Sequence, residues 1–115
     1  MGRYLDVAKK INNPSALTQE QGDLVYAEIE AAFDSNETIV LDFVNIESMI
    51  SPFLNNAIGQ LYGKYTSEKI QKCLDLRNFP SSKNSTLNIV INNAKKFYSN
   101  REGFSHMAKE VLNIE

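Results

Sequence analysis

The chain has one cysteine, Cys73, one histidine, His106, and no tryptophan in 115 residues. A single cysteine excludes an internal disulfide, and with it the stapled frameworks on which small secreted domains rely. Together the two residues fall short of the three or four imidazole or thiolate ligands of a zinc site, so no metal is expected. A hydrolytic triad would need His106 beside a nucleophile and an orienting carboxylate. It stands instead between Phe104 and Met107, where a helix surface is the simpler reading. The glycines Gly2, Gly22, Gly59, Gly63 and Gly103 are dispersed, which leaves no glycine-rich loop for a phosphate, and no cofactor is expected.

An excess of positive charge is missing too. Lys and Arg number 12 against 14 Asp and Glu, a formal net charge of -2, so no general basic field awaits a polyanion. A nucleic-acid-binding accessory role would have to rest on a local patch from Lys9, Lys10, Lys95, Lys96 and Arg101, and is disfavoured. No stretch approaches the roughly 18 consecutive apolar residues of a membrane span. The opening "MGRYLDVAKKINN" has no apolar core of signal-peptide length. A cytoplasmic protein without a membrane partner is the expectation.

What is present suits one folded domain over residues 1–115, with 43% hydrophobic and 23% charged residues. Residues 4–8 read as a short edge strand or a first helical turn, and "INNPSAL" reads as loop. Thr18 with Gln21 forms a capping-box pattern, after which Val25, Ile29, Ala32 and Phe33 recur at helical spacing. Gly22 in the first turns costs that helix up to about 1 kcal/mol. Residues 38–43 are apolar nearly throughout, as in a central strand covered on both faces. Ser51 and Pro52 then suggest an N-cap and a first helical residue, with apolar positions continuing to Tyr65.

Residues 69–76 read as a half-covered strand with a buried Cys73. Ser85 reads as the cap of a helix to about Tyr98, and Ser99 with Glu102 as the start of a last short helix, about residues 100–113, appended to the domain. Strands alternating with helices imply an α/β fold, a small mainly parallel or mixed sheet with crossover helices.

Few residues invite chemistry. Gly59 and Gly63, four apart on one helix, suggest close packing. Asp42 and Glu47 flank the exit of the central strand, at the carboxyl end of the sheet where sites gather, and a small enzyme would have to use that pair. Ser51 is the hydroxyl of most interest, because a phosphate at a helix start meets free amides and adds about -1.5 to -2 charges.

The segment "IVLDFVNIESMISPFLNNAIGQLYG" resembles the STAS-like family of small bacterial domains. The shared pattern is an apolar strand ending in Asp42-Phe43, then Ile46, Ser51, Phe53-Leu54, the amide pair Asn55-Asn56, Ala57, Gly59 and Leu61. Gly22 takes the recurring glycine place upstream. The likeness spans residues 18–63 and weakens toward Phe97. More distantly the chain is similar to true STAS domains, the anti-sigma-factor antagonists, whose switch is a phosphorylated serine. Here that position falls on Pro52, which has no hydroxyl, so Ser51 and Ser48 are the candidate acceptors.

The resemblance implies a STAS-like fold and a non-catalytic regulatory or protein-interaction module, with an ATP-binding kinase-like protein as the kind of partner. Homo-oligomerisation is left open. The expected interaction surface is Glu47, Ser48, Ser51, Asn55 and Asn56, with Met49, Ile50 and Phe53 as apolar anchors if exposed. A phosphorylation-switched antagonist is the narrower alternative.

Overall fold

The computed structural model describes the backbone of residues 2–110 and the side chains of residues 2–99. Its organising element is β3 (Thr38–Asp42), the middle strand of a three-stranded parallel sheet between β1 (Gly2–Asp6) and β5 (Leu74–Arg77). The register aligns Leu5 with Leu41 and Leu41 with Leu76, so the leucines of all three strands point to one side. On that side α2 (Gln19–Asp34) packs through Val25, Ile29 and Phe33, which are fully buried with Ile39 and Leu41.

Among the described residues the opposite side is open. Tyr4, Asp75 and Arg77 are exposed there and Val40 is half-buried. The apolar run of β3 thus corrects to an alternating strand with one covered face, closed at its exposed end by Thr38 and at its buried end by Asp42.

Edge strand β1 runs directly into α1 (Val7–Ile11), so residues 4–8 contain both a strand end and a helical turn. Asp6 makes the join: its carboxylate accepts from the Lys9 amide at 3.2 Å. Asn12 ends α1 with φ 57°, a left-handed conformation that asparagine tolerates better than most residues. The "INNPSAL" loop holds a further two-residue strand, β2 (Ser15–Ala16), paired in parallel with β4 (Ser48–Met49). Thr18 and Gln21 make the expected capping box at the start of α2.

After β4 come α3 (Ser51–Ala57) and a 3₁₀ turn (Gly59–Gly63), in place of one continuous helix. Residues 69–76 also need correction. The stretch is α4 (Ser67–Cys73) followed by the short β5, because the Thr66 hydroxyl accepts from the Lys69 amide at 3.1 Å and starts a helical turn. Cys73 closes that helix, half-buried, and is not mid-strand. The long α5 (Asn84–Glu110) passes through Ser99 without a break, so the Ser99–Glu102 pattern does not open a new helix. Val90 and Ala94 pack α5 against Gly59 of the 3₁₀ turn.

Candidate functional site

The carboxyl end of the parallel sheet gathers Asp6, Asp42 and Arg77 in one row, since Asp6 pairs with Asp42 and Asp42 with Arg77 in the register. Asp42 is 6% exposed and fully engaged. The Tyr4 hydroxyl donates to Oδ2, the Val44 amide donates to Oδ1 at 3.0 Å, and the Asn78 side-chain amide donates to Oδ1 at 2.9 Å. Asn78 reaches this position from a left-handed φ of 57°. The hydrogen bonds from Asn78 and Tyr4 hold the Asp42 carboxyl below its ordinary range, with further help from the Val44 amide and the Arg77 charge.

That environment stabilises the carboxylate as an anion and weakens it as a base. Glu47 is exposed and leaves β3 by a different route, its amide donating to the Pro14 carbonyl at 2.7 Å. The two carboxylates do not share any cleft described below. Sequence patterns alone do not bring Tyr4, Asp6, Arg77 and Asn78 to Asp42. The available signal was the repeated Leu-Asp pair, Leu5-Asp6 and Leu41-Asp42, at the ends of two strands that lie in register.

The turn of residues 47–56 divides into an inner and an outer set. Met49 and Phe53 are buried at 1% and 0%, so they belong to the core and not to an interaction surface. Ile50 is exposed at 43%. Glu47, Ser48, Ser51 and Asn55 are exposed as well.

Ser51 does not cap α3. The N-cap is Ile50, which supplies no side-chain hydrogen bond, while Ser51 and Pro52 are already helical. An isoleucine at this position forgoes the roughly 1 kcal/mol that serine or aspartate would contribute. Asn56 is half-buried and donates to Asp23 of α2 at 2.9 Å, and Gln60 donates to the same oxygen at 3.0 Å. This side chain ties α3 to α2.

The glycines of the sequence reading also change roles. An added Cβ at Gly59 would meet only ordinary side-chain contacts, the nearest Val90 at 3.6 Å, and one at Gly63 would meet the Tyr98 ring at 2.4 Å. The close backbone approach is at Gly22, where a Cβ would lie 2.5 Å from the Phe53 carbonyl oxygen. Gly22 is what lets α2 and α3 touch.

Open clefts lie beside this framework among the described residues. One of about 390 Å³ lies between the 3₁₀ turn and α5, beside Tyr62, Tyr65 and Lys95. Another, about 450 Å³, lies by Asp6, Lys9 and Asn45, and a third of about 260 Å³ by Asn55, Asn56 and Phe97. Among the described residues, no three of His, Cys, Asp and Glu are grouped so as to hold a metal ion. No described helix is long and apolar enough to cross a membrane.

Of the candidate cationic patch, Lys10 is paired with Glu28 at 2.8 Å, and Lys95 sits over the Tyr62 ring at 5.8 Å. The side chains of Arg101 and His106 lie outside the described residues.

A family model described as a STAS-like domain of unknown function matches residues 21–82, from the first turn of α2 to just past β5. No curated protein and no solved structure matches the chain.

Proposed function

Because the chain belongs to the STAS-like domain family, we propose that it is a non-catalytic protein-interaction module of a regulatory pathway, contacting its partner through residues 47–56. The observation that carries this reading is the composition of that turn's outer side. Glu47, Ser48, Ile50, Ser51 and Asn55 are all exposed on a rigid β4–α3 junction whose inner side, Met49 and Phe53, is locked into the core. Rigid presentation of exposed side chains suits recognition, since little ordering entropy is lost on binding. Catalysis has no comparable support, because every oxygen of Asp42 is already occupied by an intramolecular donor.

Affinity capture from the source cell tests the module. Ser51→Ala and Asn55→Ala together are expected to abolish recovery of a reproducible partner while leaving the melting temperature unchanged. Recovery that is indifferent to both changes would overturn the reading. A kinase-like ATP-binding protein among the captured chains would fit the family resemblance.

The exposed and uncommitted hydroxyl of Ser51 supports a second reading, a switch in which phosphate on Ser51, or on exposed Ser48, turns the same surface anionic. Intact-mass measurement of protein from its native cell decides this one. Absence of an added phosphate on either serine, with and without a co-expressed kinase-like neighbour, would sink it.

A further inference from the structure

Leu17 and Ile50 are neighbours at the end of the β2–β4 ladder. Ala16 pairs with Met49, and the next step of the register brings the Ile50 amide to the Ala16 carbonyl at 3.1 Å. Since strand side chains alternate, buried Ala16 and Met49 leave Leu17 and Ile50 facing outward, at 42% and 43% exposure.

Neither residue is explained by its local position. Ile50 occupies the N-cap of α3, where an apolar β-branched side chain is among the poorest choices. Leu17 precedes the Thr18 cap of α2, where a hydrophobic residue normally packs against the fourth helical residue. That residue is Gly22, which has no side chain to meet it. Two apolar side chains at successive rungs of the ladder that break local rules while staying partly exposed mark a functional surface.

The charge close to them in the chain has one sign. Residues 11–63 contain no lysine, arginine or histidine, although this segment holds eight of the chain's carboxylates. Several are neutralised from outside the segment: Glu28 by Lys10, Glu30 and Asp34 by Lys64, and Glu37 by Arg3. Asp42 is enclosed by its donors. Glu20, Asp23 and Glu47 have no ion pair among the described residues, and Glu20 and Glu47 lie within three positions of Leu17 and Ile50 in the chain.

From this we infer that Leu17 and Ile50 form the apolar centre, and Glu20 and Glu47 the acidic rim, of a docking surface for a linear protein segment carrying a large apolar side chain flanked by lysine or arginine. The inference rests on the interaction-module reading and names the chemistry of its partner. Apolar contact supplies the affinity, and the unpaired carboxylates steer the basic flanks and reject acidic competitors.

An array of short immobilised peptides with random sequences, probed with the full chain, tests it. Retained peptides are expected to combine a large apolar residue with flanking Lys or Arg. Ile50→Ser should weaken their binding at least about tenfold, a loss of about 1.4 kcal/mol, while raising the melting temperature because serine caps α3. Glu20→Lys with Glu47→Lys should turn the preference toward acidic flanks.

Retention of acidic peptides by the unaltered chain, retention of no peptide, or binding unchanged by Ile50→Ser would each overturn the inference. Binding that depends on Ser51 and Asn55 but ignores Leu17 and Ile50 would overturn it while leaving the module reading intact.

Discussion

The hydroxyl of Tyr4 on edge strand β1 donates to Oδ2 of Asp42 on central strand β3. An exposed tyrosine thereby helps to close off a buried carboxylate, and the sheet's carboxyl end is held by side chains as well as by its ladder. The same bond raises the Tyr4 phenol above its ordinary value of 10.0 and helps hold Asp42 below its ordinary 3.8.

A depressed carboxyl value in the fold stabilises the native state above pH 3.8, and that contribution is lost as pH falls from 3.8 through the lower native value. Asp42→Asn should therefore melt below the unaltered chain at neutral pH, with the gap narrowing in acid. Tyr4→Phe should show a smaller effect of the same sign, because the bonds from Asn78 and Val44 remain. Melting curves across the acid range check both; a gap that widened as pH fell would refute the assignment.

Tyr65 makes the opposite pH prediction. Burial, and then the hydrogen bond to Asp34 at 2.8 Å with that residue's charge, push its phenol up to about 12. A phenol that keeps its proton more tightly in the fold stabilises fully below pH 10.0, and this is lost as pH rises from there toward about 12. Tyr65→Phe should cost about 1 kcal/mol at neutral pH, the net value of one hydrogen bond, and should remove the last phase of phenolate absorbance in an alkaline titration. Survival of that phase would assign it to another tyrosine.

The readable parts of the fold were those with local causes. The Thr18–Gln21 capping box and the apolar run of β3 declare themselves in a few adjacent residues, and the STAS-like resemblance rests on the same stretch. Residues 69–76 resemble one alternating strand because β5 is only four residues long. Ile70, Cys73 and Leu74, three and four apart, suit a helix turn as well as an alternating strand.

Ser51 was misplaced for a related reason. The Ser-Pro pair signals a helix start, but tertiary packing of Met49 inward sets the start one residue earlier, at Ile50. The row of Asp6, Asp42 and Arg77 depends on strand register, which no single stretch of sequence contains.

Gln21 does more than its capping position foretells. Its side-chain oxygen accepts from the amides of Leu17 at 2.7 Å and Thr18 at 3.0 Å, and its side-chain nitrogen donates to the Ser15 carbonyl at 3.1 Å. One amide thus occupies the outer edge of β2 as a strand would, blunting an edge that would otherwise invite another chain. Gln21→Ala should cost about 1 kcal/mol or more in urea unfolding. Gln21→Glu, which keeps both acceptor bonds and loses only the donor to Ser15, should fall between the two. Equal stability of all three would show that water replaces the amide without loss.

The contact between α2 and α3 gives the sharpest mechanical prediction. At Gly22 an added methyl would lie 2.5 Å from the Phe53 carbonyl oxygen, 2.8 Å from the Asn56 Cβ and 3.0 Å from the Ala57 amide nitrogen. Two of these atoms are backbone, so relief requires the helices to move apart. Alanine's helix-propensity advantage over glycine, about 1 kcal/mol, opposes an overpacking cost of about 1–3 kcal/mol. Separation would also strain the bonds from Asn56 and Gln60 to Asp23, so Gly22→Ala should be a net loss of about 1–2 kcal/mol. At Gly63 the nearest atoms all belong to the Tyr98 side chain, and none is backbone. Gly63→Ala should therefore cost clearly less. Denaturant unfolding of the two variants side by side checks the order, and a Gly22→Ala protein as stable as the unaltered chain would mean that α2 and α3 do not approach this closely.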